Sequence, residues 1–397
     1  MKKKRTTRGD AITLTVATGI KSLVQLLTPI VLVRLLDKTE FGDFRVFWLV
    51  ANTATLLLSL GMARSLLYFL PRSSPEERGR FVSQTALYFL GVSLLASLVL
   101  VIGEGWLSED IAGLTEPGWV LPAFVFLWVA SVPVRYLPNA DQNVTWQAGA
   151  IVTIALLRAA AVLGTAVAFR DIHAVFVGLL VWSGIQFLIL GYYVVSRYGV
   201  SLHKPTLSAV LEQFSFAAPF GLSQTLAGAR RTVAQWIVVF LFSPASLAVF
   251  AIGTSFNAVL RLIRSSLGNV LLPKISKSQA SGDMERAVRL NNRGNVAIFV
   301  LICPVLCWLW LYAESVITLM YTEDYVDAVP VLRVYLGVLL IMSIELGSVL
   351  MVLRQGQFVL LVSIGVLALA SVASLVGGKA LGLYGVALGS LVGEVIG

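Results

Sequence analysis

The stretch that decides the fold opens the chain: MKKKRTTRGD (1–10) runs into AITLTVATGIKSLVQLLTPIVLVRLL (11–36). A basic tail bearing Lys2, Lys3, Lys4, Arg5 and Arg8 leads into an apolar run long enough to cross bilayer hydrocarbon, for which about 20 residues suffice. The run is too long for a signal-peptide core and lacks a small-residue cleavage site, so it reads as a retained first span. Comparable runs follow at 44–70, 81–103, 118–138, 147–169, 174–196, 213–242, 248–273, 292–313, 328–353, 357–377 and 382–397. The pattern predicts an all-α integral membrane protein of about twelve transmembrane helices. Its connections are too short for a soluble domain.

Composition says the same. Hydrophobic residues make up 57% and charged residues 13% of the 397, about half the charged share of a soluble chain. Soluble enzymes, secreted domains and nucleic-acid binders are thereby excluded. Cys303 and Cys307 stand four apart in one apolar run and read as helix packing. His173 and His203 are isolated, so no metal cluster is expected and no cofactor is called for.

The net charge of +9 is first a matter of orientation. With the N-terminus in the cytoplasm, the cytoplasmic segments carry Arg72, Arg78, Arg80, Arg135, Arg197, Lys204, Lys274, Lys277, Arg286, Arg289, Arg293 and Arg354. The opposite side has Lys38, Arg170 and Lys379, and gathers acids such as Glu104, Glu109, Asp110, Glu116, Glu323, Asp324 and Asp327. This bias places the N-terminus inside. The apolar ending at Gly397, without a polar flank, suggests a shortened form of a longer protein.

Two regions about 206 residues apart share a pattern. LLDKTEFGDF (35–44) precedes a span ending YFLP (68–71), and LFSPASLAVF (241–250) precedes a span ending LLP (271–273). A charged hairpin follows each. The expected organisation is an N-terminal six-helix lobe (1–196), a cytoplasmic linker (197–212) and a C-terminal six-helix lobe (213–397). Six is even, so the halves enter with the same orientation, a parallel repeat of the kind transporters use for alternating access.

The most informative residues are cations inside the spans. By helical rise, Lys21 lies about 15 Å into span one and Arg158 about 16 Å into span five. Arg64 lies in span two, Arg230 and Arg231 beyond the middle of span seven, and Arg261 and Arg264 near the middle of span eight. Facing lipid, these seven would cost on the order of 20 kcal/mol. Acids within the spans are confined to Glu345 and Glu394, so salt bridging does not account for them. Lys21, Gln25 and Thr28 share one helix face, as do Asn257, Arg261 and Arg264, and Gln224, Gly228, Arg231 and Gln235. Polar, cationic faces on several helices describe a hydrated cavity with an anionic occupant. Arg34, Arg45 and Arg333, near span ends, read instead as snorkelling or bonding to backbone carbonyls. Glu345 either binds a coupling proton or sodium ion or neutralises one of the arginines.

Several segments together carry a family resemblance. They are LVRLLDKTEFG (32–42), GMARS (61–65), LMYTEDY (319–325) with AVPVL (328–332), and LYGVALG (383–389). In order and spacing they resemble polysaccharide flippases of the MOP superfamily, over essentially the whole chain. The resemblance implies a V-shaped, MATE-like pair of lobes around a cationic cavity. It further implies flipping of an undecaprenyl-pyrophosphate-linked oligosaccharide from the cytoplasmic to the outer leaflet, for surface polysaccharide such as O-antigen or exopolysaccharide. The expected setting is the cytoplasmic (inner) membrane of a bacterium or archaeon. The expected form is a monomer among membrane lipids, with polysaccharide polymerase machinery as a further partner. Where many relatives carry an acid before the arginine of span seven, this chain has Ala229-Arg230-Arg231, so of that motif Arg231 alone transfers.

Two other readings compete. A cation-coupled multidrug exporter of the same superfamily predicts acids within the N-terminal spans, which lack them. A membrane-embedded glycan polymerase or ligase predicts a large outer loop, and the longest here is 103–118. A non-transporting scaffold for polysaccharide assembly would leave the buried cations unexplained.

Overall fold

The structure, a computed structural model, describes residues 7–103, 118–199, 206–256, 283–341 and 356–396. Among these residues the regular structure is helical and there is no strand. The chain forms two compact units, Met1–Thr225 and Leu226–Gly397.

In the first unit the opening run becomes α1 (Thr7–Leu32), as its apolar length requires. Asp37 then starts α2 (Lys38–Leu58) with a capping box: its side chain accepts from the Thr39 and Glu40 amides, and Glu40 returns a bond to the Asp37 amide. The expected second span, 44–70, is not one helix. It breaks after Leu58 and resumes as α3 (Met62–Phe69), and the two pieces are bent by 49°. Gly61 makes the break possible with φ +75°, a conformation that costs little without a Cβ. Carbonyls freed there find donors: Tyr88 hydroxyl bonds Leu58 O at 2.7 Å, and Thr225 bonds Leu56 O at 2.9 Å.

Next come α4 (Pro75–Ile102), capped by Ser74 with Glu77, and α5 (Val120–Ala130). The expected fourth span, 118–138, also differs from a continuous helix. It tightens into a 3₁₀ turn, Val132–Arg135, where Pro133 withdraws a backbone donor, and then a single turn, Leu137–Ala140. Long helices α6 (Val144–Phe169) and α7 (Ile172–Tyr198) follow. α1 packs along α6, α4 on α5, and α7 on both α5 and α6.

α8 (Leu207–Leu241) begins in the first unit and ends in the second. Its first half is fastened by close approach and by polar contacts. A Cβ at Gly221 would sit 2.1 Å from the Leu60 carbonyl carbon, and one at Gly61 would sit 2.6 Å from Ala217 O. Gln213 donates to the hydroxyls of Ser65 and Thr85, both at 2.9 Å.

The second unit holds α9 (Pro244–Gly253), α10 (Met284–Leu311), α11 (Ala313–Met320), α12 (Ala328–Ile341) and α13 (Gly356–Ile396). α12 packs against α9, α10 and α13. α13 folds back at Gly382 (φ +66°) into two limbs. Gly377 meets Gly385, Ser374 meets Gly389 and Ala370 meets Gly393, the descending order of an antiparallel hairpin. Small residues permit that backbone-to-backbone distance.

The 206-residue repeat has a local counterpart. Asp37 caps α2 and Ser243 caps α9. Phe44 and Phe250, again 206 apart, are both buried. Among the described residues, six helices are long and apolar enough to cross a membrane, or seven if the bent pair α2–α3 is one span.

Candidate functional site: cations on an aromatic cluster

The centre of the first unit is aromatic. Trp48 of α2, Trp128 of α5 and Trp182 of α7 meet with ring centroids 5.3 to 6.2 Å apart. Phe176 stacks on Phe47 at 4.5 Å, and Phe124 meets it tilted at 4.7 Å, extending the cluster. Trp182 spends its indole N–H on Ile154 O at 2.9 Å, whereas the indole N–H groups of Trp48 and Trp128 are buried without an acceptor.

Two arginines lie on this cluster. The Arg158 guanidinium carbon stands 4.1 Å from the Trp48 centroid and 5.8 Å from that of Trp182. Arg135 lies 4.3 Å over Trp128. Lys21 on α1 is close enough to feel the charges of both Arg135 and Arg158, and Arg158 also feels Arg45. Helices α1, α2 and α6 and the 3₁₀ turn thus gather like charges in one region. Among the described residues, Lys21, Arg135 and Arg158 have no carboxylate partner and donate no hydrogen bond to protein. Arg158 Nε is itself buried without an acceptor.

Stacking explains part of this. A desolvated cation–π contact is worth about 2 kcal/mol, against about 2.5–3.5 kcal/mol for an arginine at a helix centre. The rings hold the guanidinium plane while leaving its N–H fork unspent. That fork fits the oxygens of a phosphate or carboxylate.

The other expected residues are distributed differently. Arg64 is exposed and lies 4.6 Å over Phe220. Arg230 is half-buried and Arg231 exposed, both in the second unit. The three faces proposed from spacing are uneven. On α1, Thr28 is buried and bonds Val24 O, Lys21 is half-buried and Gln25 exposed. On α8, Gly228 is buried between exposed Gln224 and Arg231. The face Asn257, Arg261 and Arg264, and also Glu345, lie outside the described residues. Two end-of-span arginines do bond to backbone as expected: Arg34 to Ile30 O at 2.6 Å, and Arg333 to Trp310 O at 3.4 Å.

Sequence reasoning missed Arg135, which it assigned to a cytoplasmic loop, and missed the tryptophans altogether. The available signal was a tryptophan in each of three spans with an arginine seven residues after Trp128.

The family description "Polysaccharide biosynthesis protein" matches residues 31–330. The chain belongs to the polysaccharide biosynthesis protein family. No curated protein matches it in sequence. Among solved structures it is similar to an inward-facing multidrug resistance MATE family transporter of the MOP superfamily, with TM-score 0.73 at 15% identity over 95% of this chain and 91% of that one. An outward-facing MATE transporter gives TM-score 0.60 at 15% identity, over 97% and 91%. A MOP superfamily transporter from Pyrococcus furiosus Vc1, described as having a binding pocket of reversed polarity, gives 0.60 at 14%, over 97% and 92%. This member of the polysaccharide biosynthesis protein family therefore has the fold of those MOP superfamily transporters, and its long apolar helices make it an integral membrane protein. The resemblance seen in its sequence holds.

Proposed function

We propose that the protein moves an undecaprenyl-pyrophosphate-linked oligosaccharide from the cytoplasmic to the outer leaflet of the cytoplasmic membrane by alternating access. The observation that carries this reading is the unspent guanidinium of Arg158, held on Trp48 beside Lys21 and Arg135 with no acid among the described residues to neutralise it. A buried donor without an acceptor costs about 1–3 kcal/mol, which a pyrophosphate oxygen would recover. Three cations in one place suit a doubly charged anion, whereas a cationic drug would be repelled. The family description favours a glycan substrate, and the solved transporters favour movement over synthesis.

The proposal includes twelve spans with the N-terminus inside, arranged as a parallel repeat of lobes 1–196 and 213–397 joined by 197–212. It assigns substrate binding to Lys21, Arg64, Arg158, Arg230, Arg231, Arg261 and Arg264, and adds Arg135. Glu345 is the candidate for coupling to a proton or sodium gradient. The test is export of surface polysaccharide by cells carrying Arg158→Gln, Arg261→Ala or Arg264→Ala, with membrane insertion checked separately. Loss of export with normal insertion supports the assignment, and full export by all three and by their combination overturns it. For Glu345→Gln, an altered dependence of transport on the ion gradient supports coupling, and an unchanged dependence overturns it.

A further inference from the structure

α10 of the second unit has two unlike faces. Ile298, Ile302 and Leu306 are buried. The opposite face lines an open groove of about 950 Å³. Arg289, Asn292 and Arg293 stand at one end, and Val296, Ala297, Val300, Leu301 and Pro304 continue from them. Val296, Val300 and Leu301 are each about 60% exposed, at 61%, 64% and 59%. That is a large apolar surface for a groove with a charged end, and its volume is at the upper end for ligand sites.

We propose that this groove seats one anionic glycerophospholipid of the adjoining leaflet, headgroup on the arginines and an acyl chain along Val296 to Pro304. Charge points to the headgroup. Arg289 is paired with Glu285 one turn away, but Arg293 has no partner among the described residues. Asn292 adds an amide donor between them. Length points to a single leaflet. The eleven helical steps from Arg293 to Pro304 rise about 16 Å, and half of a hydrocarbon core of about 30 Å is about 15 Å. An acyl chain therefore ends where the apolar lining ends. On the topology proposed above the leaflet is the cytoplasmic one, but the groove's chemistry does not depend on that orientation.

The experiment is native mass spectrometry of the full chain, released from equimolar phosphatidylglycerol and phosphatidylcholine of matched acyl chains. The wild type is expected to retain phosphatidylglycerol selectively. Arg293→Gln should weaken retention about fivefold, and Arg289→Gln with Arg293→Gln about thirtyfold, at roughly fivefold per arginine near an anionic headgroup. Arg286→Gln, the same charge loss on α10 outside the groove lining, should leave retention unchanged. Val300→Trp, which fills the apolar length, should displace the lipid while the charge is intact. Equal retention of both lipids, an equal effect of Arg286→Gln, or retention of a polyprenyl-linked glycan in place of phospholipid would overturn the proposal. Unaltered thermal unfolding of each variant separates lost binding from lost fold.

Discussion

Arg158 and Trp48 form a cation–π pair at 4.1 Å in which the ring takes one face of the guanidinium and, among the described residues, the guanidinium keeps its hydrogen bonds unused. A structural arginine would spend those bonds on carbonyls, as Arg34 does on Ile30 O. The difference gives a signed prediction. Arg158→Met removes an uncompensated charge and keeps the bulk, so it should stabilise the protein by about 1 kcal/mol, the excess of insertion cost over stacking. It should also abolish export. Thermal unfolding in detergent alongside an export assay checks both halves. A lowered midpoint would assign Arg158 to structure.

The stacking platform makes a second prediction. Trp48→Phe keeps a π face and should retain most transport. Trp48→Leu removes it, leaves Arg158 without its plane, and opens space in a cluster also built from Trp128 and Trp182. Large-to-small changes of this kind cost about 2–4 kcal/mol. Equal transport by the Phe and Leu variants, measured per inserted protein, would show that the ring is packing alone.

Much of this could be read from the chain, and the reason is physical. Lipid forces backbone hydrogen bonds inward, so hydropathy alone reveals helices such as α1, α4, α6 and α7. The caps at Asp37 and Ser243 are findings of the structure, although both residues fall inside the two repeated segments read from the sequence. The break at Leu58–Gly61 was not legible there. Residues 44–70 read as one predominantly apolar run, and Gly61 takes its left-handed backbone where Gly221 of a distant helix packs against Leu60. Arg135 was assigned to a loop because its segment looks like a span ending. The chain instead tightens after Ala130 and carries the arginine over Trp128. The tryptophans belong to three helices, and no local pattern announces that they meet.

That close approach is itself testable. Gly221→Ala places a Cβ about 2 Å from backbone, where no side chain can yield. It should cost at least the 1–3 kcal/mol typical of overpacking and lower the unfolding midpoint. Gly91→Ala, whose Cβ meets nothing within 4 Å, serves as the control and should have little effect. Equal behaviour of the two would contradict the packing described for α3 and α8.

At the end of α7, Asp141 accepts hydrogen bonds from the hydroxyls of both Tyr193, at 2.8 Å, and Tyr198. Tyr193 also packs on Trp146 and belongs to the apolar cluster of Leu66, Leu70, Val82 and Leu137. Asp141→Ala strands the phenols of buried Tyr193 and half-buried Tyr198 and should cost about 2 kcal/mol or more. Tyr193→Phe combined with Asp141→Ala should cost less than the sum of the single changes, a coupling that a double-mutant cycle of unfolding midpoints measures. Strict additivity would mean that the pair does not interact.

The central claim is that cations in the first unit bind the pyrophosphate of a lipid-linked glycan. It is tested most directly with purified protein in vesicles containing a fluorescent polyprenyl-pyrophosphate oligosaccharide, by following its appearance in the opposite leaflet. Loss of one charge-assisted contact is worth about 1.5–3 kcal/mol, so Lys21→Gln and Arg158→Gln should each slow flipping at least tenfold, and together should reduce it to the rate of empty vesicles. Wild-type rates in the double variant would contradict the account.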